Sequence, residues 1–158
     1  MKTLSIYTLL LFLFASNPLL CQKNKEKLYN TNKENIAASG YDIVAYFTQN
    51  APVEGNRDVF SVHQGITYLF LNQENKSLFD QTPEKYIPQY GGWCAYAMGK
   101  KGEKVSINPK AFSIEEGKLY LFYKKGGVDT LKRWLKNTAE LKSKASTQWS
   151  KHLSKSSS

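Results

Sequence analysis

The sequence predicts an α+β fold: a small antiparallel sheet built from hairpins, with packed helices and a long C-terminal amphipathic helix. Three observations predict it. Two pairs of aromatic and β-branched runs are each joined by a turn that contains glycine, which is typical of β-hairpins. A polar segment with helix-forming residues separates the two pairs. The C-terminal segment repeats apolar residues at helical spacing.

The first hairpin is predicted to turn at Gln64 and Gly65, and the second at Glu116 and Gly117. Side chains alternate between the two faces of a strand. For the first hairpin, the residues predicted to share one face are Phe60, Val62, Tyr68 and Phe70. No internal repeat at a fixed period is apparent in the sequence.

Two helices are predicted around and after these hairpins. Residues 72–86 are expected to form a short helix, with Pro83 opening its last turn. A long helix follows two glycines, with Asp129 or Thr130 near its first turn. Its apolar residues fit a 3.6-residue repeat and are predicted to face inward: Leu131, Trp134, Leu135, Thr138, Leu141, Ala145, Trp149 and Leu153.

The positive charge of the chain is concentrated in this last segment. The formal net charge is +9, and residues 124–158 hold nine Lys or Arg against only Asp129 and Glu140. Two interpretations are open: a solvated helix face, or a surface that binds nucleic acid or an anionic membrane. No aromatic residues alternate with the lysines to stack bases, so no specific nucleic-acid partner is expected.

Residues 1–21 are typical of a secretory signal peptide. Lys2 precedes an uncharged apolar run over 4–14, and small or helix-breaking residues follow. The run is too short to span a bilayer, for which roughly 20 residues are needed. Cleavage before Gln22 would leave a periplasmic or secreted chain without a transmembrane segment. Lipoprotein anchoring at Cys21 is the less favoured alternative.

The rest of the chain divides into a polar leader, one domain and a short tail. The predicted ranges are 22–35 for the leader, 36–153 for the domain with its C-terminal helix, and 154–158 for a disordered tail. Cys94 would be the single cysteine after cleavage, because the chain has two in all. This count excludes a disulfide-rich scaffold and a zinc finger with four clustered ligands.

Cys94 is the most informative candidate for a metal site. The preceding Gly-Gly turn would place Trp93 and Cys94 in the first turn of a helix, where the dipole favours a thiolate. Met98, one turn later, would add a thioether, and copper(I) accepts that pair. His63 is the third candidate ligand. The alternative is that Cys94 and Met98 are core residues and His63 is a surface histidine.

A second candidate site is a ligand pocket of aromatic rings and one carboxylate. Its residues would be Asp42, Tyr46, Tyr90, Trp93 and Tyr96. Asp42 stands in an otherwise apolar run. It would either face this pocket or cap a turn or a helix start.

Several motifs occur in a characteristic order along the chain. They lie at residues 40–47, 68–79, 83–86, 89–97 and 117–121. Together they resemble the longer, exported members of the YHS domain family, over about residues 36–150. The resemblance implies a small domain suspected of binding heavy metals through cysteines. In the short, metal-associated members, cysteines stand where this chain has Ala45, Leu71 and Asn75, so only Cys94 would replace them.

The sequence therefore predicts an exported, YHS-type module that binds copper or another transition metal at Cys94. The alternative is a structural or partner-binding domain in which Cys94 belongs to the core and the basic helix docks on an anionic surface. An enzyme is not expected, because the chain has no phosphate loop, serine-centred elbow or paired-carboxylate motif. A protein partner is compatible with either reading, and no pattern specifies the oligomeric state.

Overall fold

A computed structural model describes residues 28–156, and these residues form the mixed α+β fold that the sequence predicts. The signal peptide and cleavage site predicted near Cys21 lie outside the described residues. Three two-stranded antiparallel hairpins pack with helices, of which the C-terminal one is the longest. No helix within residues 28–156 is both long and apolar enough to cross a membrane.

The strands pair with their neighbours along the chain. They are β1 (Asn56–His63), β2 (Ile66–Phe70), β3 (Asn108–Glu115), β4 (Lys118–Phe122), β5 (Lys124–Lys125) and β6 (Val128–Asp129). The helices are α1 (Ala45–Thr48), α2 (Gln73–Gln81), α3 (Pro83–Tyr86), α4 (Ala95–Lys101), α5 (Thr130–Trp134) and α6 (Thr138–Ser156). A 3-10 turn precedes α1 at Ala38–Gly40 and another precedes α4 at Gln89–Gly92.

The first hairpin buries a different face of β1 from the one predicted. Its two-residue turn at 64–65 pairs Ser61 with Tyr68, so these two side chains share a face. Phe60 and Val62 lie on the opposite face, where they are 47% and 62% exposed. The predicted grouping of Phe60 and Val62 with Tyr68 is therefore wrong. Each strand alternates by itself, but the turn length decides which faces coincide.

The second hairpin repeats the first at an offset of 52 residues. Asn56 pairs with Phe70 in the first hairpin and Asn108 with Phe122 in the second, and both registers shift at the same point. The identical residues are Asn56 and Asn108, Phe60 and Phe112, Ser61 and Ser113, Gly65 and Gly117, Tyr68 and Tyr120, Leu69 and Leu121, and Phe70 and Phe122. The expectation of no internal repeat is therefore wrong. Most shared positions carry residues that any strand favours. The strand register therefore shows the repeat more clearly than the amino-acid identities do.

The repeat extends to the segments before the hairpins. Both 3-10 turns, Ala38–Gly40 and Gln89–Gly92, contain three consecutive residues with positive φ, and each is followed by a helix, α1 or α4. Within the first turn these are Ala38 (49°), Ser39 (56°) and Gly40 (85°). Tyr90, Gly91 and Gly92 adopt the same left-handed conformation 52 residues later. Such a run is rare outside glycine, so its recurrence supports a duplicated unit.

Strand β4 connects the two hydrophobic clusters of the domain. Leu119 and Leu121 point into the first cluster, which the first repeat surrounds. Tyr120 and Phe122 point into the second cluster, where they pack on Trp134. All four strand residues are buried, which explains why β4 is an apolar run and not an alternating one.

The predicted C-terminal helix is divided into α5 and α6. Trp134 ends α5 and is fully buried, and Leu141 and Ala145 of α6 are also buried, as predicted. Leu135 and Leu153, predicted to face inward, are 61% and 40% exposed. The interruption between the two helices shifts the phase of the apolar repeat, so no single stripe runs along both.

Residues 72–86 also form two helices where one was predicted. Thr82 has a non-helical ψ of 67°, and Pro83 occupies the first turn of α3. Proline disfavours the helical conformation in the residue before it, which ends α2 at Gln81. Asn72 caps α2 by accepting a hydrogen bond from the Asn75 N–H group at 2.9 Å.

The folded unit extends beyond the predicted range of 36–153. Helix α6 continues to Ser156, within the segment predicted as a disordered tail. At the other end Leu28 is buried, and its carbonyl oxygen accepts a hydrogen bond from the Trp93 indole at 2.8 Å. Part of the predicted leader is therefore packed on the domain.

The close crossing of α4 and α6 gives a test of the packing. A Cβ atom at Gly99 would lie 2.5 Å from the Leu141 carbonyl oxygen. Gly99→Ala is expected to lower the free energy of unfolding by about 1–3 kcal/mol, because the helices must separate despite the better helix propensity of alanine. Urea denaturation measures this change. Ser143→Ala, at an exposed position of α6, is the control and should have little effect. An unchanged or higher stability of Gly99→Ala would contradict the packing.

Candidate functional site

The fully buried carboxylate of Asp42 accepts four hydrogen bonds. Its Oδ1 accepts from the backbone N–H groups of Val44 (2.8 Å) and Ala45 (3.1 Å). Its Oδ2 accepts from the Leu71 N–H group (2.8 Å) and from Asn75 Nδ2 (2.7 Å). Asp42 therefore caps the start of α1 and connects it to the end of β2 and to α2. Of the two roles that the sequence left open, the structure shows the cap.

Cys94 is fully buried, and its sulfur lies between two hydrogen-bonding groups. The Tyr123 N–H group donates to Sγ at 3.3 Å, and Thr130 Oγ1 lies 3.4 Å from Sγ. The Cys94 N–H group donates to the Val105 carbonyl at 2.9 Å. Helix α4 begins at Ala95, so Cys94 precedes the first turn in which it was predicted. The alternative of a buried core cysteine is the one that the structure shows.

Asp42 and Cys94 occupy equivalent positions in the two repeats. Each donates its N–H group to a valine carbonyl, and the side chain of each accepts from the residue after its hairpin's last strand. The pairs at the offset of 52 are Asp42 and Cys94, Val53 and Val105, and Leu71 and Tyr123. Cys94 is thus the acceptor that joins the start of α4 to the end of β4, as Asp42 does in the first repeat.

Tyr46 is a structural residue of the first cluster. It is fully buried, its hydroxyl donates to the Pro109 carbonyl at 2.8 Å, and its ring packs edge-on against Phe112 at 4.8 Å. Burial raises the pKa of Tyr46 well above its ordinary value, chiefly by desolvation. The hydroxyl therefore remains a donor and links the two repeats.

The other predicted pocket residues lie elsewhere. Tyr90 belongs to the second cluster, and its hydroxyl donates to the Lys142 carbonyl at 3.3 Å. Desolvation by burial raises the pKa of Tyr90. Tyr96 packs at the edge of the same cluster, and the Trp93 indole is bound to Leu28. The structure thus separates Tyr46 from the rings with which it was grouped.

The three candidate metal ligands also lie in different surroundings. His63 is partly exposed, with Nε2 3.1 Å from Glu84 Oε1 and its ring edge-on to Phe79 at 6.0 Å. Met98 is fully buried in the second cluster, and the Cys94 sulfur faces β4 and α5. Within residues 28–156, no group of three or more His, Cys, Asp and Glu is arranged to hold a metal ion. Metal binding stays a prediction from the sequence.

The exposed cations of the C-terminal helices form an extended charged surface. As predicted, most cations of this segment face solvent. The exposed ones are Lys132, Arg133, Lys136, Lys144, Lys151 and Lys155. Lys142 differs, because it contacts Glu116 at 3.0 Å and Glu115 at 3.7 Å. Its ammonium also lies over the Tyr120 ring, 5.6 Å from the ring centre.

A basic cleft at this surface is a feature that sequence reasoning missed. It has a volume of about 260 Å³ and lies between α4 and the break that separates α5 from α6. Lys100, Arg133 and Lys144 line it with a single carboxylate, Glu140. These residues come from three separate helices, so no local pattern of the sequence groups them.

Comparison with protein-family models, with curated proteins and with solved structures finds no match to this chain. The resemblance to the YHS family stays a prediction from the motifs.

Asp42→Asn tests whether the Asp42 carboxylate is the hub of the first repeat, meaning the acceptor that joins α1, the end of β2 and α2. Both oxygens of Asp42 accept hydrogen bonds, so an amide would point one N–H group at a donor. The substitution is expected to lower the free energy of unfolding by about 2–4 kcal/mol, because at least one buried backbone N–H group loses its partner. Chemical denaturation measures the loss. Asp58→Asn removes a charge at an exposed position and should change stability little. Equal effects at the two positions would show that Asp42 is not the hub.

Alkylation of Cys94 tests its burial. In a chain beginning at Gln22, Cys94 is the single thiol. Iodoacetamide should modify the native protein at least about 100-fold more slowly than the urea-unfolded protein, because the sulfur is reached only when the structure opens. Intact-mass spectrometry follows the reaction. Comparable rates in the two states would contradict the enclosed thiol.

Proposed function

We propose that this chain is an exported, non-catalytic module that docks on an anionic phospholipid surface through the basic face of its C-terminal helices. One observation carries the proposal: apart from Lys142, the cations of α5, of α6 and of the break between them face solvent, whereas the opposite side of the same helices is packed into the second cluster. The positive charge is therefore accessible to a partner, and carboxylates of the domain neutralise little of it.

Most of these cations lack an internal counter-ion. Within the part of the chain that the structure describes, Lys132, Arg133, Lys136 and Lys151 form no ion pair, whereas Lys144 is paired with Glu140. Each Lys or Arg near an anionic bilayer contributes about 1 kcal/mol of attraction. Several unpaired cations on one segment are therefore enough for reversible binding.

An exposed leucine favours a lipid surface over a nucleic acid. Leu135 stands between Arg133 and Lys136 in the chain and is 61% exposed. Leu153 is 40% exposed but lines a different depression, beside Glu84 and Tyr90. Apolar side chains beside lysines suit a membrane interface, where the leucine enters the headgroup region and the ammonium meets phosphate. The tryptophans of the segment do not serve as stacking platforms, because Trp134 is fully buried and Trp149 packs against the second cluster.

Cys94 acts in this proposal as a core acceptor and not as a metal ligand. Copper binding at Cys94, the first function that the sequence predicts, has less geometric support, because the thiol is enclosed and its polar neighbours are Thr130 and a backbone N–H group. A copper ion would need the second repeat to open.

Vesicle sedimentation tests the docking. A chain beginning at Gln22 is expected to bind phosphatidylglycerol vesicles, to bind phosphatidylcholine vesicles weakly, and to dissociate between 0.1 and 1 M salt, where the screening length falls from about 10 to about 3 Å. Replacing Lys132, Lys136, Lys151 and Lys155 with Gln should weaken binding at least about tenfold.

The control removes the same charge elsewhere. It replaces four exposed lysines outside the C-terminal helices with Gln: Lys33, Lys85, Lys110 and Lys118. This variant should keep most of its affinity. Equal losses in the two variants, or equal binding to neutral and anionic vesicles, would refute docking through the C-terminal helices.

A further inference from the structure

The basic cleft between α4, α5 and α6 has walls held by close helix contacts. Gly99 of α4 meets the Leu141 backbone of α6 so closely that even a Cβ atom would not fit. Next to this crossing the surface opens into the cleft of about 260 Å³, which is room for several water molecules at about 30 Å³ each. The cleft is therefore a shaped depression between packed helices.

The cleft carries more positive than negative charge. Lys100, Arg133 and Lys144 line it, and Glu140 is its single carboxylate. Glu140 is already bound, since it accepts hydrogen bonds from Lys144 and from the Asn137 amide. These two contacts and the field of Lys100 lower the pKa of Glu140, which keeps it ionised.

Two cations lie outside this hydrogen-bonded pairing. Neither Lys100 nor Arg133 forms an ion pair within residues 28–156, although both line the same depression, and Lys100 acts on Glu140 only through its field. A guanidinium and an ammonium that line one cleft match an anion with several oxygens, because Arg binds two of them and Lys adds a point charge. The chemistry of the cleft thus favours a phosphate group over a single carboxylate.

We infer that this cleft binds the phosphate of an anionic phospholipid headgroup, with Lys100 and Arg133 as the principal contacts. The inference rests on the proposed membrane docking and deepens it, because it assigns one phosphate to a defined site on an otherwise diffuse basic surface. Lys144 remains shared between Glu140 and the bound phosphate. Tyr96 forms part of the adjoining wall.

Two matched pairs of substitutions test the site in the chain that begins at Gln22. The cleft pair is Lys100→Gln with Arg133→Gln, and the surface pair is Lys151→Gln with Lys155→Gln, which removes equal charge outside the cleft. Two probes are used. Binding of sn-glycerol 3-phosphate is monitored by the amide chemical shifts of Gly99 and Leu141. Binding to phosphatidylglycerol vesicles is measured by sedimentation.

The parent chain should show glycerol-phosphate shifts at both amides and should bind the vesicles. The cleft pair should lose the shifts and at least about tenfold in vesicle affinity. The surface pair should keep the shifts and lose less vesicle affinity than the cleft pair. Arg133→Lys keeps the charge but not the two-pronged contact, so it should bind glycerol phosphate more weakly than the parent. This single variant decides the matter if the cleft pair fails to fold.

The outcomes separate the site from the docking. If both pairs weaken vesicle binding equally and glycerol phosphate shifts neither amide, the cleft site is wrong while docking stands. A second outcome is that the parent chain binds glycerol phosphate but not the vesicles, and that only the cleft pair loses glycerol-phosphate binding. In that case the phosphate site stands, and both the docking and the lipid source are wrong. If neither probe binds the parent chain, both proposals fail.

Discussion

The buried carboxylate of Asp42 is the interaction on which the first repeat depends. A charge removed from water is tolerated only when hydrogen bonds replace its hydration, and here four donors do so. Those donors belong to the start of α1, the end of β2 and helix α2, so their relative positions are set together. In the second repeat Cys94 takes the same place with a weaker acceptor, and the packing of Trp134 on Tyr120 and Phe122 holds the corresponding elements.

The two repeats differ most where each meets the rest of the molecule. Phe112 of the second hairpin packs on Tyr46, whereas its equivalent Phe60 in the first hairpin is 47% exposed. Strand β4 is buried on both faces because it lies between the clusters. The second hairpin therefore lies between the two clusters, whereas the first hairpin lies at the edge of the domain. Similar sequences acquire different burial because their neighbours differ.

Helix α6 lies outside the duplicated unit and combines two roles. Leu141 and Ala145 pack it against α4 at a crossing that only Gly99 permits, while Lys144, Lys151 and Lys155 face solvent. The break before Thr138 brings Arg133 of α5 next to the cleft that α4 and α6 form. The same break exposes Leu135. The two faces of α6 therefore have different roles, one in packing and one in carrying exposed charge. The interruption before α6 lets cations of three helices line one cleft.

The sequence by itself determined the properties that depend on near neighbours: the hairpin turns, a helix start at Asp129 or Thr130, the fold class and the concentration of charge at the C-terminus. Local rules suffice there, because turn chemistry and helical spacing act over a few residues. The tertiary structure alone decided which face of β1 is buried, that Cys94 is enclosed, that His63 lies apart from it, and that a basic cleft exists. Each of these depends on contacts between segments tens of residues apart, and a pattern read along the chain does not contain them.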